Sequence, residues 1–422
     1  MSLEQFKDII LPLRQQAEVR DRWLEERLDT VIPNVINRSD FDMWLIICSE
    51  YNEDPVIMSM LPATAMSARR LTILVFAKNE DGTVERFSVD RYGHGAFFET
   101  QWQPEKEDQW ACLARLVKER DPKKIGVNYS STFAFGNGLT YSEAEQLHSA
   151  LGADLMARCA SAEALAVGWL ETRIEAEMAA YPTLVAMGHA LIAEAFSKRV
   201  IQPGVTTTDD VIWYMRQKIH NMGLQAWFQP ACQIQAPGQS FEFLGKPARK
   251  LILPGDMLWC DVGFYYLGLA TDQQNQAYVL KSGEKDAPEG LKSALHDTNH
   301  LQDIHMRHMK VGATGNEILE KTLNEARIFE MNAQIYSHPL GFHGHAAGPT
   351  IGLWDMQGGV PGRGDYPVYD HTAYSIELNL RKAIPEWDGQ EVRIQLEEDA
   401  IMKNGKMHWL DGRQHQAFHL IG

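Results

Sequence analysis

Acidic residues interrupt three of the most apolar segments of the chain, in places where strands are predicted. Asp261 lies within MLWCDVGF, Glu377 lies within AYSIELNL, and Glu397 follows the alternating segment VRIQL. A carboxylate that is buried alone costs several kcal/mol, because nothing replaces its lost hydration. The fold must therefore pair these carboxylates or bring them to a metal ion.

A fourth acid and a group of histidines extend this pattern. Asp272 follows Asp261 by eleven residues. Three histidines, His338, His343 and His345, lie within the glycine-rich segment YSHPLGFHGHAAG. Carboxylates at this density suit hard divalent cations, and an imidazole among them admits Mn, Co, Zn or Fe. We therefore predict a divalent metal site built from strand carboxylates and a loop histidine.

A second pair of histidines offers an alternative metal site. The segment His296-Asp-Thr-Asn-His300 imitates the HExxH zinc-peptidase motif on a predicted helix. Aspartate shortens the base of that motif by one methylene group, and the sequence suggests no third ligand. We therefore favour the strand carboxylates.

A repeated helix-cap pattern indicates an internal duplication in the second part of the chain. Two long helical segments, near 171–198 and 290–310, each lead into Gly-x-Thr-x-x-acid and a further amphipathic helix. A threonine followed three residues later by an acid is typical of a capping box. The matched residues are Gly204, Thr206 and Asp209 in the first copy and Gly312, Thr314 and Glu317 in the second. Two unrelated helix caps are the alternative to a repeated helix-helix-sheet unit.

The first part of the chain has a different texture, with short strands and helices in alternation. Residues 42–48 form an apolar run, and the segments 71–77 and 84–89 flank Asp81-Gly82, a strong hairpin signal. We predict an α/β domain over residues 1–165 and an α+β domain over residues 166–422.

Composition narrows the possible partners and compartments. Asp and Glu number 56 against 40 Lys and Arg, a net charge of −16, which argues against a nucleic-acid partner. Five scattered cysteines without a CxxC pair argue against a disulfide framework. The first residues lack an apolar signal segment, and no apolar run reaches the roughly 18 residues that span a bilayer. We therefore expect a cytoplasmic protein without a membrane partner.

The order Asp, Asp, His, Glu, Glu in these contexts resembles the pita-bread metallopeptidase family, which includes Xaa-Pro aminopeptidase, prolidase, methionine aminopeptidase and the non-metal creatinase. LPGDMLWCDVG, GLATD and GHAAG are similar to three of its ligand segments. The resemblance covers nearly the whole chain. It implies an α/β creatinase-like N-terminal domain, followed by an α+β pita-bread domain with an internal pseudo-twofold duplication.

The resemblance also implies a metal centre and a role for each ligand. It implies two divalent ions, with Mn²⁺ as the first choice and Co²⁺, Zn²⁺ or Fe²⁺ as alternatives. Glu397 is preferred over the adjacent Glu398, since it shares a strand face with Arg393 and Gln395. Glu377 lies where the family has its general base. The implied metal ligands are Asp261, Asp272, His345, Glu377 and Glu397.

Three positions depart from the family pattern. Phe243 and Leu244 occupy the window where family peptidases place a histidine before the first ligand. Trp354 stands in place of a second histidine, and Gln276 in place of an arginine.

Other residues are expected to compensate for these changes. We take His343 and His338 as catalytic candidates that could replace the missing histidines. Trp354 and Arg393 are the expected substrate contacts.

The implied function is that of a dinuclear-metal hydrolase that cleaves short peptides before proline, as an aminopeptidase or a dipeptidase. The missing histidines leave two alternatives open. One is a creatinase-like hydrolase of a small non-peptide C–N substrate, and the other is a catalytically impaired family member with a binding role. The resemblance also implies a homodimer.

Overall fold

The computed structural model describes residues 3–239, 249–415 and 417–422. The chain divides into two compact units, Leu11–Ile174 and a larger unit of Met1–Ile10 with Glu175–Gly422. The division follows Ile174, whereas the sequence places it after residue 165. The helix Glu163–Glu171 stays in the smaller unit, because the guanidinium of Arg27 lies 4.3 Å from the centroid of the buried Trp169 ring.

The smaller unit is a mixed sheet with helices, as predicted for an α/β domain. Its elements are α1 (Leu13–Asn37), β1 (Met43–Ser49), β2 (Leu71–Lys78), β3 (Val84–Ser88), β4 (Glu99–Thr100), α2 (Gln109–Arg120), β5 (Ile125–Val127), α3 (Tyr141–Met156), β6 (Cys159–Ser161) and α4 (Glu163–Glu171). The strand order is β4-β3-β2-β1-β5-β6. The predicted hairpin at Asp81-Gly82 is confirmed, since β2 and β3 pair antiparallel and Gly82 has φ +84°.

Two pairs of helices and one nine-stranded sheet form most of the described part of the larger unit. Its elements are α5 (Glu175–Ala195), α6 (Thr208–Asn221), β7 (Gln225–Ala226), β8 (Ala231–Gln235), β9 (Met257–Val262), β10 (Phe264–Tyr266), β11 (Leu269–Ala270), β12 (Gln273–Val279), α7 (Glu289–His308), α8 (Gly315–Ile328), β13 (Asn332–Ile335), β14 (His338–Leu340), β15 (Thr372–Ile384), β16 (Gln390–Lys403), β17 (Lys406–Trp409) and β18 (His419–Ile421). The large sheet has the order β13-β15-β16-β12-β9-β8, with β14 on β15, β17 on β16 and β18 on β12.

The larger unit repeats one pattern. The helices α5 and α6 precede strands β8, β9 and β12, and the helices α7 and α8 precede strands β13, β15 and β16. A capping box begins the second helix of each pair, with Thr207 on α6 and Thr314 on α8. Each cap also forms an isolated bridge to a later segment, Thr207 with Leu251 and Thr314 with Pro367. These equivalent backbone contacts support the predicted duplication.

The predicted cap of the second copy is confirmed, and that of the first copy is wrong by one residue. Thr314 caps α8 with Glu317, as expected. In the first copy the partner of Thr207 is Asp210. The hydroxyl of Thr206 instead accepts a hydrogen bond from the backbone N–H of Gln202 at 2.9 Å, which places this threonine in the preceding turn.

The strand register aligns the polar residues of the large sheet in one row. Asp261 lies opposite Gln274, Gln274 opposite Glu397, and Glu397 opposite Glu377. Residues directly opposite in antiparallel strands project to the same face, so this row crosses four adjacent strands. The neighbouring Ile376 belongs to the apolar cluster on the other face.

Candidate metal centre

Carboxylates and imidazoles from four strands and two loop positions meet at this row. Ligand atoms lie within 4.8 Å of one another in each of three overlapping groups. The first group is Asp261, Asp272 and Glu397, the second is His338, Glu377 and Glu397, and the third is Asp272, His338 and His345. The structure thus brings together every predicted metal ligand, and His338 with them.

His338 is held on the sheet and directed at the carboxylates. It lies on β14, opposite Ser375 of β15. Its Nε2 is 3.4 Å from Oε1 of Glu397 and 3.6 Å from Oδ2 of Asp272. Its Nδ1 is 2.9 Å from the carbonyl oxygen of Pro339, which only accepts, so Nδ1 carries the proton and donates it. Nε2 is therefore the nitrogen that faces the carboxylates and that a bound metal ion would take as its ligand.

His345 lies beside His338 at the more exposed edge of the cluster. The two ring centroids are 4.6 Å apart, and the ring of Trp227 is 5.2 Å from that of His345. The nearby charge of His338, with burial second, lowers the pKa of His345 to about 4. His345 belongs to the group with Asp272 but not to the group with Glu377 and Glu397. The geometry therefore favours His338 as the shared histidine ligand, because its strand is hydrogen-bonded to β15.

Burial and mutual repulsion disfavour the ionised form of the carboxylates in the cluster. Burial, and then the neighbouring carboxylates, raise the pKa of Asp261, Asp272 and Glu377 well above the usual range. Within the described part of the chain, Oδ1 of Asp261, Oδ1 of Asp272 and Nε2 of His338 are buried without a hydrogen-bond partner. A divalent cation would neutralise the charge and satisfy these atoms. Carboxylate oxygens with one imidazole nitrogen fit Mn²⁺, Fe²⁺, Co²⁺ or Zn²⁺.

Three other predicted site residues lie outside these groups. The ring of His343 packs against Phe342 at a centroid distance of 5.1 Å. Trp354 is 49% exposed. Arg393 is buried on β16, where its Nε donates to Oδ1 of Asn379 at 3.0 Å. The predicted departures at Phe243 and Leu244 lie outside the described residues.

The helical histidine pair does not form a metal site, so that alternative is wrong. His296 has 59% of its side chain exposed and lies 3.5 Å from Asp297. The ring of His300 packs on Phe329 at a centroid distance of 4.7 Å. Among the residues that the structure describes, neither histidine joins a group that could hold an ion.

Strand alternation separates the two adjacent acids of β16. Glu397 faces the cluster, whereas Glu398 accepts from Asn275 at 3.0 Å and lies 2.6 Å from Nε2 of His189. Glu398 is therefore committed to an ion pair outside the metal-binding groups.

Sequence reasoning missed three residues that shape the centre. Gln274 donates from Nε2 to Glu377 and, at 2.6 Å, to Glu397, and the hydroxyl of Ser375 also donates to Glu397. The indole N–H of Trp227 donates to the carbonyl of Thr271 at 2.9 Å. A usable signal existed for Gln274, since it lies two residues after Asp272 and so on the same strand face. Trp227 had no such signal, because it is distant in sequence from the ligands.

Buried carboxylates gathered around an imidazole on one sheet are typical of a metal-dependent enzyme. A model of metallopeptidase family M24 matches residues 156–404, more than half of the chain. The chain belongs to this family, as the sequence resemblance predicted.

Solved structures with the same fold have low sequence identity to this chain. X-Pro aminopeptidase from Thermotoga maritima is 15% identical, with a TM-score of 0.63, over 92% of this chain and 100% of that one. Xaa-Pro dipeptidase from Bacillus anthracis is 16% identical, with a TM-score of 0.64, over 94% and 100%. A histidine-to-alanine variant of Escherichia coli aminopeptidase P is 14% identical, with a TM-score of 0.61, over 93% and 95%.

These similarities confirm the predicted two-part fold. No curated protein sequence matches the chain. Within the described residues, no helix combines the length and apolar character needed to cross a bilayer.

Proposed function

We propose that this chain is a metal-dependent peptidase that cleaves short peptides at an Xaa-Pro bond. The observation that carries the proposal is the group of buried, unpaired ligand atoms on Asp261, Asp272 and His338, next to Glu377 and Glu397. A bound divalent ion would polarise the scissile carbonyl and lower the pKa of the attacking water. The solved Xaa-Pro aminopeptidase and dipeptidase structures with this fold support the substrate class.

Glu377 is the proposed general base. Its side chain is 13% exposed, so it is the carboxylate of its metal-binding group that solvent reaches most easily. Burial raises the pKa of Glu377 above the ordinary value for a glutamate. A general base works best when its pKa lies near the working pH, so this shift suits the role. The carboxylate accepts the proton from the attacking water and delivers it to the leaving amine.

His345 is the proposed polar contact to the substrate. With a pKa of about 4, it is neutral at pH 7 and keeps one N–H to donate. Its exposed position beside the ligands lets this N–H reach a carbonyl oxygen that develops charge.

The test is a comparison of substrates on the Mn²⁺-loaded protein. Xaa-Pro dipeptides and longer peptides with proline second are incubated separately, and the released residues are quantified. Cleavage of dipeptides alone indicates a prolidase, and release of the first residue from longer peptides indicates an aminopeptidase. Glu377→Gln should lower kcat by about 100-fold or more. Glu391→Gln, at an exposed position of β16, is the matched control. A metal-loaded protein that cleaves neither substrate class contradicts the proposal.

A second candidate is hydrolysis of a small non-peptide C–N compound. The replacement of the family's second histidine by Trp354 favours it, because Trp354 has no imidazole to bring to the ligands and is 49% exposed. Turnover of a small amide or amidine, with none of the peptides, would select this candidate.

Several finer expectations come from the sequence and the resemblance. They are Mn²⁺ as the ion, two ions in the centre, substrate contact by Arg393, a homodimer and a cytoplasmic location.

A further inference from the structure

The polar row of the large sheet contains one amide among its acids. Gln274 lies on β12 between Asp261 of β9 and Glu397 of β16, and Glu377 continues the row on β15. Gln274 is 1% exposed, so water from the bulk does not compete for its hydrogen bonds. The partners of this amide are therefore protein groups inside the cluster.

Trp259 sets the orientation of the Gln274 amide. It lies on β9 two residues before Asp261, and so on the same face of the strand. Its indole N–H donates to Oε1 of Gln274 at 2.8 Å. An indole nitrogen can only donate, so the atom that it contacts must be the amide oxygen. The amide nitrogen is therefore left for the acids of β15 and β16.

The amide nitrogen of Gln274 holds one oxygen of each of two acids. Nε2 donates to Oε1 of Glu377, and to Oε2 of Glu397 at 2.6 Å. These two bonds use both hydrogens of the amide nitrogen. Rotation of either carboxylate would break its bond to Gln274, so the amide restricts the orientation of both acids.

The other oxygen of each acid is directed at the metal-binding group that both acids share with His338. Oε2 of Glu377 lies 4.0 Å from Nε2 of His338, and Oε1 of Glu397 lies 3.4 Å from it. The hydroxyl of Ser375 donates to the same Oε1 of Glu397. The amide therefore contacts one oxygen of each acid and leaves the oxygen that approaches His338 for an ion.

We propose that Trp259 and Gln274 form a hydrogen-bond relay that positions Glu377 and Glu397 for a divalent ion. Trp259 is a positioning residue that acts through Gln274, and Gln274 acts through the two carboxylates. The ligand oxygens are oriented before an ion arrives, so binding requires less ordering of side chains. For Glu377, the same contact fixes the direction in which the proposed general base accepts a proton. The inference rests on the proposed metal-dependent function and adds two positioning residues to it.

Calorimetric titration of the metal-free protein with Mn²⁺ tests the relay without reference to turnover. Gln274→Met keeps the length of the side chain and removes both donors, so it should weaken Mn²⁺ binding by about 10- to 100-fold. Trp259→Phe keeps an aromatic ring and removes the indole N–H, so it should weaken binding by about 5-fold, the net contribution of one hydrogen bond.

Two matched controls make the same substitutions away from the ligands. Gln276→Met changes another buried glutamine of β12, whose Nε2 donates to the backbone carbonyl of Gln395. Trp387→Phe changes a buried tryptophan whose indole nitrogen has no hydrogen-bond partner among the described residues. Both controls should bind Mn²⁺ as tightly as the wild type does.

The double variant Trp259→Phe/Gln274→Met distinguishes a relay from two independent contributions. If Trp259 acts through the amide, the double variant should bind Mn²⁺ as weakly as Gln274→Met alone. At saturating Mn²⁺, Gln274→Met should also lower kcat by a larger factor than it raises KM, because it frees the general base and removes no substrate contact.

The outcomes separate this inference from the proposed function. Wild-type Mn²⁺ affinity in a folded Gln274→Met, checked by circular dichroism, overturns the relay but agrees with a metal-dependent hydrolase. Additive losses in the double variant also overturn the relay, since Trp259 would then act without the amide. A wild type that binds no Mn²⁺ contradicts the proposed function itself. If Gln274→Met fails to fold, equal Mn²⁺ affinities of Trp259→Phe and Trp387→Phe would overturn the relay.

Discussion

At the scale of single residues, His338 and His345 show that residue type alone does not identify a metal ligand. Both imidazoles are close to Asp272, and both lie in the same glycine-rich segment. Only His338 lies on a strand paired with β15, and only its Nδ1 is fixed by a carbonyl oxygen. Backbone pairing, rather than sequence context, therefore distinguishes a ligand from its neighbour.

Removing these two imidazoles should have different effects. His338→Ala should weaken Mn²⁺ binding by about 100-fold or more, because it removes a direct ligand, whose loss should exceed that of a supporting contact. His345→Ala should leave bound metal unchanged and lower kcat. Metal titration by calorimetry and steady-state kinetics measure the two effects. If His345→Ala loses the metal and His338→Ala keeps it, the original preference for His345 as ligand is correct.

His189 stabilises the sheet from the side of Glu398. It lies 2.6 Å from Glu398 and 2.9 Å from Asp411. Burial alone would lower its pKa, but the two carboxylates outweigh burial and raise the pKa to about 9. Because this exceeds the ordinary value of 6.5, its stabilisation is complete below pH 6.5 and is lost as the pH rises through about 9.

We therefore expect His189→Gln to lower the free energy of unfolding by an amount that depends on pH. Its free energy of unfolding should fall by about 2 kcal/mol at pH 6, since Glu398 would remain buried without its cation. The loss should shrink above pH 9. Urea unfolding across this range measures both effects, with His220→Gln on an exposed turn of α6 as the control. An equal cost at every pH would show that the charge of His189 is not what stabilises the sheet.

At the scale of elements, the sequence predicts where the strands lie better than it predicts which strands pair with one another. The apolar runs around Asp261, Glu377 and Glu397 become β9, β15 and β16, because alternation fixes which face each acid takes. The contacts of Gln274 could not be predicted, since they depend on register between strands that are more than 100 residues apart. The first capping box is wrong by one residue for a similar reason, since Thr206 and Thr207 are equivalent in sequence and only their contacts, such as the bridge from Thr207 to Leu251, distinguish them.

Two glycines, Gly263 and Gly344, let the indole of Trp227 pack closely against the backbone beside the ligands. A Cβ on Gly344 would overlap the indole ring, and a Cβ on Gly263 would overlap both the indole and the carbonyl of Thr271. Gly263→Ala should therefore lower the free energy of unfolding by about 2 kcal/mol. Gly358→Ala, where an added Cβ meets nothing within 4 Å, should change it by less than about 0.5 kcal/mol. Thermal denaturation of both variants measures these changes. If the two variants are equally stable, the indole of Trp227 can shift to make room for the added Cβ.

At the scale of the whole molecule, the metal centre couples stability to pH. In the metal-free protein, the folded-state pKa values of Asp261, Asp272 and Glu377 exceed the ordinary values of 3.8 for Asp and 4.5 for Glu. The folded state then binds more protons than the unfolded state, so its stability falls as the pH rises above this range. A bound divalent ion reverses the effect, because its ligands must lose their protons.

The difference in Tm between the Mn²⁺-loaded and the chelator-treated protein should therefore grow between about pH 5 and about pH 7. Differential scanning calorimetry at matched ionic strength measures it. A difference that stays constant over this range would show that the carboxylates are already ionised without metal.

The duplication distributes the ligands between the two copies. Asp261 and Asp272 come from the first copy, whereas His338, Glu377 and Glu397 come from the second. Within each copy the ligand carboxylates repel one another. The ligands of the two copies meet only after the long chain segment between them has folded back, which forms a large loop. The binding energy of a divalent ion would therefore be released late in folding, when the copies have joined. Such an ion would act as a reversible cross-link, so fragments cut between β12 and α7 should reassociate more tightly in its presence.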